Sequence, residues 1–380
     1  MTRKIDTFLA TRRPATPCLV VDLDVVARNY RRLTALFPGA HIFYAVKANP
    51  APEILVTLAR LECSFDAASL AEIKYCLAAG APAGSIAYTN TVKKEADIAG
   101  AFERGVALFA FDSEAELQKL ARRAPGARVF CRIQINNPGA AWPLGDKFGC
   151  SVEMAKDLLT QARELGLEPY GVAFHVGSQQ RDSAQWDLAI AKTALMFTDL
   201  RERGIELKMV NLGGGLPAAY RDPVPPLDDF AELIDRSLRT HFGNHLPEVV
   251  LEPGRALVAD AGILEAEVVL VSRKDYASDV RWIYLDVGKY GGLAETEGEA
   301  IRYAIRTPYD DTPEADDTGP VVLAGPTCDG ADVLYREAGY RLPRALKTGD
   351  RVRLPGTGAY TTTYASVGFN GFEPLKSYYI

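Results

Sequence analysis

Residues 41–65 read HIFYAVKANPAPEILVTLARLECSF. An apolar run at 41–46 stops at Lys47-Ala48-Asn49-Pro50. The next segment, 52–62, carries Ile54, Leu55, Leu58 and Leu61 at helical spacing, and a second short apolar run follows at 63–65. Apolar runs of this length bounded by turn residues are buried strands, and the 3.6-residue period between them is a helix. Strand, helix, strand within about 25 residues is the crossover unit of a parallel sheet.

The same unit recurs outward from this stretch. Further apolar, β-branched or aromatic runs fall at 85–88, 107–111, 128–134, 171–175, 208–212 and 248–251. Between them, 69–80 and 113–123 have helical periodicity and open on Ser69 and Ser113, which can cap a helix; 152–165 and 183–204 are longer examples. Eight strands alternating with helices predict an α/β fold, a (β/α)8 TIM-like barrel. An open doubly wound sheet is the alternative. It would want fewer strands and a nucleotide fingerprint after the first, and the turn 47–50 contains no glycine.

After about residue 256 the pattern changes to short strands and turns, at 264–272, 280–286, 320–324 and 351–354. This predicts a second, mostly β domain, with 18–21 an extra strand contributed to it. The expected division is a barrel at 25–255 and a β domain made of 1–24 with 256–380. The stretch 309–319, YDDTPEADDTG, reads as an exposed acidic loop.

The chain has 380 residues, 48% of them hydrophobic and 24% charged, which is enough apolar material to exclude disorder as its main state. Its 43 Lys+Arg against 49 Asp+Glu give a net charge of −6, and no basic block is present. Nucleic acid and anionic membranes are therefore not the expected partners. The six cysteines show no C-x-x-C spacing, so neither a disulfide framework nor a structural zinc site is expected, and a reducing, cytoplasmic location is. The start Met1-Thr2-Arg3-Lys4-Ile5-Asp6 leads into no apolar segment of a secretory leader, and no run approaches the roughly 18 apolar residues of a membrane span.

In such a barrel, reactive side chains stand at the C-terminal ends of the strands. Those ends carry Lys47, Asp66, Asn90, Asp112, Arg132, His175, Gly213-Gly214-Gly215 and Glu252 with Arg255. No two-histidine metal pair and no G-x-S-x-G are among them, so no metal is expected. Lys47, aimed into an apolar mouth, is either an amine nucleophile of lowered pKa or a lysine that snorkels to the rim. The triple glycine is either a backbone cradle for a phosphate, with Arg255 adding a guanidinium, or a flexible turn. Glu252 either keeps a ring nitrogen protonated or pairs with an arginine, and His175 either stacks on a flat cofactor or is a core histidine. Together, an amine, a phosphate cradle, an acid and a flat side chain are what pyridoxal phosphate needs.

The motifs resemble those of the fold-type III pyridoxal-phosphate decarboxylases, in the ornithine/lysine decarboxylase branch, over about residues 16–372. Phe43-Tyr44-Ala45-Val46-Lys47-Ala48-Asn49 is similar to the Schiff-base lysine motif, and Phe65-Asp66-Ala67-Ala68-Ser69 with Glu72 to the second-strand motif. Arg132, His175-Val176-Gly177-Ser178, Gly213-Gly214-Gly215 and Glu252-Pro253-Gly254-Arg255 follow in the family order. Gly325-Pro326-Thr327-Cys328-Asp329-Gly330 looks like the catalytic cysteine motif of the second domain, and Gly358-Ala359-Tyr360 with Phe369-Asn370-Gly371-Phe372 completes the set.

The resemblance implies an alanine-racemase-like fold, pyridoxal 5'-phosphate as cofactor, and a homodimer whose sites are shared between subunits. It implies that Lys47 carries the cofactor, His175 stacks on its ring and Glu252 pairs with its nitrogen. Asp66, Arg132, Gly213 and Gly254 belong to the same binding set, and Ser178, Gly214, Gly215, Arg255 and Tyr360 hold the phosphate. Cys328 would protonate Cα after carbon dioxide leaves; a thiol, with an unperturbed pKa near 8.5, suits that task. The implied reaction is decarboxylation of a basic L-amino acid, L-ornithine to putrescine first and L-lysine to cadaverine second, in polyamine synthesis. Asp329 would meet the distal ammonium, with Tyr290 and Phe369 beside the substrate. The resemblance places a second substrate contact shortly after Asp286-Val287-Gly288-Lys289-Tyr290-Gly291, where Glu295, Glu297 and Glu299 follow; Glu295 and Glu299, which on a helix would share a face, are the expected substrate-binding pair, and solvated surface glutamates are the alternative. Arginine and diaminopimelate decarboxylases of the same fold are the alternatives, the latter ranked lower because Cys328-Asp329-Gly330 departs from a Cys-Glu-Ser-Gly pattern. Two further readings are a non-catalytic regulatory relative, which would be free to lose Lys47, Glu252 and Cys328, and a racemase, in which a tyrosine would take the place of Cys328.

Overall fold

The computed structural model describes residues 2–136, 138–142 and 146–380, which form two compact units. One consists of Ala27–Pro217 and Val224–Leu257. In it the strands Ala40–Ala45, Ser64–Ala67, Ile86–Tyr88, Leu108–Phe111, Arg128–Arg132, Glu168–Ala173, Met209–Asn211 and Glu248–Leu251 close an all-parallel barrel. The seam is the pairing of Val250 with His41. Each of the eight expected runs supplies one strand. The limits shift by up to three residues: the second strand runs on to Ala67, the fifth ends at Arg132, and the sixth spans Glu168–Ala173, which leaves His175 two residues beyond its end.

The barrel interior is filled by Phe43, Ala87, Leu108, Ala110, Phe130, Tyr170, Ala173, Met209 and Val250. Leu108 and Ala110 show the two-residue period that puts alternate side chains of one strand into the core. The helices form where the sequence caps them. Pro52 opens Pro52–Ala59, whose Ile54, Leu55 and Leu58 are fully buried, each worth about 1.5–3 kcal/mol. Ser69 Oγ accepts the Glu72 N–H at 3.2 Å and Ser113 Oγ accepts the Glu116 N–H at 3.4 Å, caps worth about 1 kcal/mol each.

The other unit comprises the chain up to Val26, Ala218–Pro223 and Val258–Ile380. Its sheet is centred on Gly262–Ser272, which pairs antiparallel with Cys18–Val21, Arg281–Leu285 and Arg351–Pro355. Cys18–Val21 is buried throughout and also pairs, in parallel, with Lys376–Tyr379. The segment Ala218–Pro223, expected within the barrel, belongs here instead. Arg221 N–H donates to the Arg302 carbonyl at 2.8 Å, its guanidinium lies 4.1 Å over the Tyr340 ring, and Tyr220 packs edge-on against Tyr303 at 5.3 Å. The acidic stretch 309–319 is not wholly loop, because it holds the turn Pro313–Ala315 and the start of strand Thr318–Ala324.

Candidate active site

Lys47 lies in the 3-10 turn Val46–Ala48, immediately after the first barrel strand. Its side chain is half-exposed, and Nζ stands 3.4 Å from Oδ2 of the buried Asp66, on the second strand. The other oxygen of Asp66 accepts the hydroxyl hydrogen of Thr89, just past the third strand. Glu72, one turn into the next helix, accepts the Ala68 N–H at 2.6 Å, and burial raises its pKa. Arg132 ends the fifth strand with its guanidinium 5.1 Å from the Phe148 ring centre. Burial draws its pKa down, opposed by the charges of Glu252, Asp112 and Asp66. Asp112 also accepts the Gly149 N–H at 2.8 Å.

His175 Nδ1 accepts the Gly177 N–H at 3.0 Å. Burial, then the positive charges of Arg132 and Lys47, push its pKa well below the usual histidine range, so the ring is neutral at physiological pH. Gly213 and Gly215 have φ of +67° and +107°, conformations that disfavour a side chain. A Cβ on Gly213, Gly214 or Gly215 would lie 2.3 Å from the Phe174 oxygen, 2.6 Å from the Glu252 oxygen or 2.5 Å from the Gly177 oxygen. The turn is thus bare backbone of necessity. Buried Arg255 follows Gly254, begins the helix Arg255–Val258 and donates to Ser178 Oγ at 3.1 Å. Glu252 N–H donates to the Gly213 carbonyl at 2.8 Å, and Glu252 Oε1 accepts from Asn211 Nδ2 at 2.5 Å. Burial and the neighbouring Asp66 push the Glu252 carboxyl up to about 7, against Lys47, Asn211 and Arg132.

This barrel therefore gathers Lys47, Asp66, Arg132, His175, Ser178, Gly213, Gly214, Gly215, Glu252, Gly254 and Arg255. An amine, a side-chain-free cradle with a hydroxyl and a buried guanidinium, a protonatable carboxyl and a neutral imidazole fit a phosphorylated pyridine aldehyde. Lys47, the cradle and Glu252 would hold it by its aldehyde, phosphate and ring nitrogen. Thr89, Asp112 and Asn211 support these groups; Asp112 stands among the expected strand-end residues, whereas Thr89 and Asn211 do not. Asn211 stands two residues before Gly213, where a polar residue inside an apolar strand was the available signal.

The remaining expected residues belong to the β unit. Cys328 is exposed, and its N–H donates to Asn370 Oδ1 at 3.0 Å. Asp329 accepts the Ala331 N–H at 2.9 Å and the Tyr290 hydroxyl at 2.7 Å, bonds that hold its pKa below the ordinary value. The Tyr290 and Phe369 rings are 4.6 Å apart, and both line a cavity of about 690 Å³. Asp332, unnoticed in the sequence, organises this loop. Buried, it accepts the Lys289 N–H at 2.8 Å, the Thr327 N–H at 3.2 Å and the Thr327 hydroxyl at 2.8 Å. A Cβ on Gly288 or Gly325 would come within 2.1 or 2.3 Å of its carboxylate. Tyr360 is also in this unit, with φ of +58°.

Glu295 and Glu299 do not share a helix face. The turn Ala294–Glu299 is broken by non-helical Glu297 and Gly298, because Gly298 takes φ of +57°. Glu295 is buried, whereas Glu299 Oε1 accepts the N–H groups of Arg336 at 2.6 Å and Glu337 at 2.7 Å.

Residues 23–259 match the family described as pyridoxal-dependent decarboxylase, pyridoxal binding domain. The lysine/ornithine decarboxylase of Selenomonas ruminantium is 35% identical, over 96% of this chain and 89% of that protein. The lysine/ornithine decarboxylase of Vibrio vulnificus, solved with cadaverine, is 30% identical with a TM-score of 0.87, covering 99% of this chain and 95% of that one. The arginine decarboxylase of Paramecium bursaria Chlorella virus, solved with agmatine, is 29% identical with a TM-score of 0.90 and covers both chains fully. The chain belongs to the pyridoxal-dependent decarboxylases of fold-type III. It is of the ornithine/lysine/arginine type, and its cofactor is pyridoxal phosphate. No helix among the described residues is long and apolar enough to cross a membrane.

Proposed function

We propose that this protein decarboxylates L-ornithine and L-lysine, yielding putrescine and cadaverine for polyamine synthesis. The observation that carries the proposal is the Cys328–Asp329 pair. An exposed thiol adjoins a carboxylate whose two oxygens are fixed by Ala331 and Tyr290 and which is held ionised. A distal ammonium is the complement of that carboxylate, and a diamine product retains it. When bound, the cofactor supplies the electron sink for the pair left on Cα as carbon dioxide departs. Lys47 presents its amine beside Asp66 to carry the cofactor, neutral His175 stacks against the ring, and Glu252 shares a proton with the ring nitrogen. Cys328 Sγ delivers a proton to Cα. Intact Lys47, Glu252 and Cys328 favour an enzyme over a regulatory relative, and Cys328-Asp329-Gly330 disfavours diaminopimelate.

The proposal includes a cytoplasmic homodimer in which Cys328 of one subunit serves the barrel of the other. The test is kcat/KM across ornithine, lysine, arginine and diaminopimelate. Ornithine or lysine should lead. The second reading, arginine, is favoured by the likeness to the agmatine-bound neighbour, and a lead for arginine would establish it in place of the first. Mixing Lys47→Ala with Cys328→Ala chains should restore about a quarter of the activity, since half of a random dimer mixture carries one intact site. No recovery would refute shared sites.

A further inference from the structure

Asn211 is the last residue of strand Met209–Asn211 and is buried. A carboxamide has one acceptor end and one donor end. Here the acceptor, Oδ1, takes the Gly213 N–H at 2.9 Å. A backbone N–H cannot reverse its role, so this bond fixes the amide and turns Nδ2 towards Glu252 Oε1, 2.5 Å away. Glu252 in turn is tied to the same turn by its own N–H on the Gly213 carbonyl at 2.8 Å. The three residues form a closed ring of hydrogen bonds between the glycine turn and the carboxyl.

We propose that Asn211 is a positioning residue that locks the carboxyl of Glu252 to the Gly213–Gly215 turn and presents it as an acceptor. This rests on the reading of Glu252 as the partner of the cofactor's ring nitrogen. Because Nδ2 only donates, Asn211 favours the ionised carboxylate and occupies Oε1, leaving Oε2 as the oxygen for the ring. The charged groups acting on Glu252 from other strands are Asp66, which opposes ionisation, and Lys47 and Arg132, which support it. A hydrogen bond to a charged group is worth about ten- to a hundredfold in an equilibrium.

Asn211→Asp separates the two bonds. It keeps an acceptor for the Gly213 N–H but sets a carboxylate against Glu252. Asn211→Ala removes both. In apo-protein, the Glu252 carboxyl titration is read as the infrared difference against Glu252→Gln. Its midpoint should rise in Asn211→Ala and rise further, by about one pH unit, in Asn211→Asp. Cofactor retention, read by visible absorbance on dialysis, should weaken about tenfold in Asn211→Asp. The double variant Asn211→Asp/Glu252→Gln restores the bond with donor and acceptor exchanged. Its apo melting temperature should return towards the parent's while cofactor retention stays weak. Midpoints unchanged in both single variants would overturn the proposal, as would a double variant no more stable than Asn211→Asp. If Glu252→Gln alone retains cofactor like the parent, the ring-nitrogen reading fails, and the apo midpoints still decide the role of Asn211.

Discussion

Glu252 gives the sharpest test of the barrel mouth. Its carboxyl is raised from an ordinary 4.5 to about 7, first by burial and then by the charge of Asp66. The folded state therefore favours the protonated form. The associated stability is full below about pH 4.5, declines as pH rises, and is gone above about 7. At about 1.4 kcal/mol per pKa unit, the decline amounts to about 3 kcal/mol in the apo-protein. Glu252→Gln has no proton to lose there. Unfolding by urea should show the variant gaining about 3 kcal/mol on the parent between pH 5 and pH 8, followed by fluorescence of Trp186, which is buried against Phe230 in the barrel unit. Asp66→Asn should shift the parental decline to lower pH, since it removes the charge that opposes ionisation. A difference between Glu252→Gln and the parent that stays flat across this range would refute the claim that the carboxyl is buried and proton-bearing.

Other outcomes follow from single contacts. Gly215→Ala places a Cβ 2.5 Å from the Gly177 oxygen at φ of +107°, and equilibrium dialysis should show cofactor binding weakened at least about tenfold. Cys328→Ala should leave the melting temperature unchanged, because the side chain is exposed, and lower kcat about a hundredfold, the effect of losing a positioned proton donor. Asp332→Ala strands the N–H groups of Lys289 and Thr327 and should cost about 2–3 kcal/mol in denaturant unfolding of the β unit.

The barrel was legible because each strand is buried on both faces and so appears as a near-continuous apolar run, and because Pro52, Ser69 and Ser113 mark helix starts. Lys47, the triple glycine and Glu252 were legible because they break such runs at their ends. Asn211 and Thr89 were not, since each acts by completing the hydrogen bonding of a residue distant in sequence or on another turn. Asp332 hid for a related reason: its partner Lys289 lies 43 residues away, and the two loops meet beside the sheet pairing of Arg281–Leu285 with Thr318–Ala324. The helical reading of 295–299 failed because a four-residue spacing says nothing about Gly298, whose positive φ ends the turn. Ala218–Pro223 was misassigned because its tie to the β unit rests on Arg221 and Tyr220, whose partners lie more than 80 residues away.

The charges of the mouth explain why one barrel can hold a basic amine, a neutral imidazole and a proton-bearing acid side by side. Burial is the main reason the His175 ring sheds its proton, and the positive charges of Arg132 and Lys47 push the same way; a charged ring there would also repel the Lys47 amine. Asp66 pairs with Lys47 at 3.4 Å, yet the same carboxylate discourages ionisation of Glu252. If Glu252 meets the cofactor's ring nitrogen as proposed, its carboxyl, kept protonated by burial and then by Asp66, would supply the proton held between them, and Asn211 and Gly213 already fix that carboxyl in place. Removing Asp66 would thus act at both ends of the cofactor, at the amine through a lost ion pair and at the ring nitrogen through a more acidic Glu252.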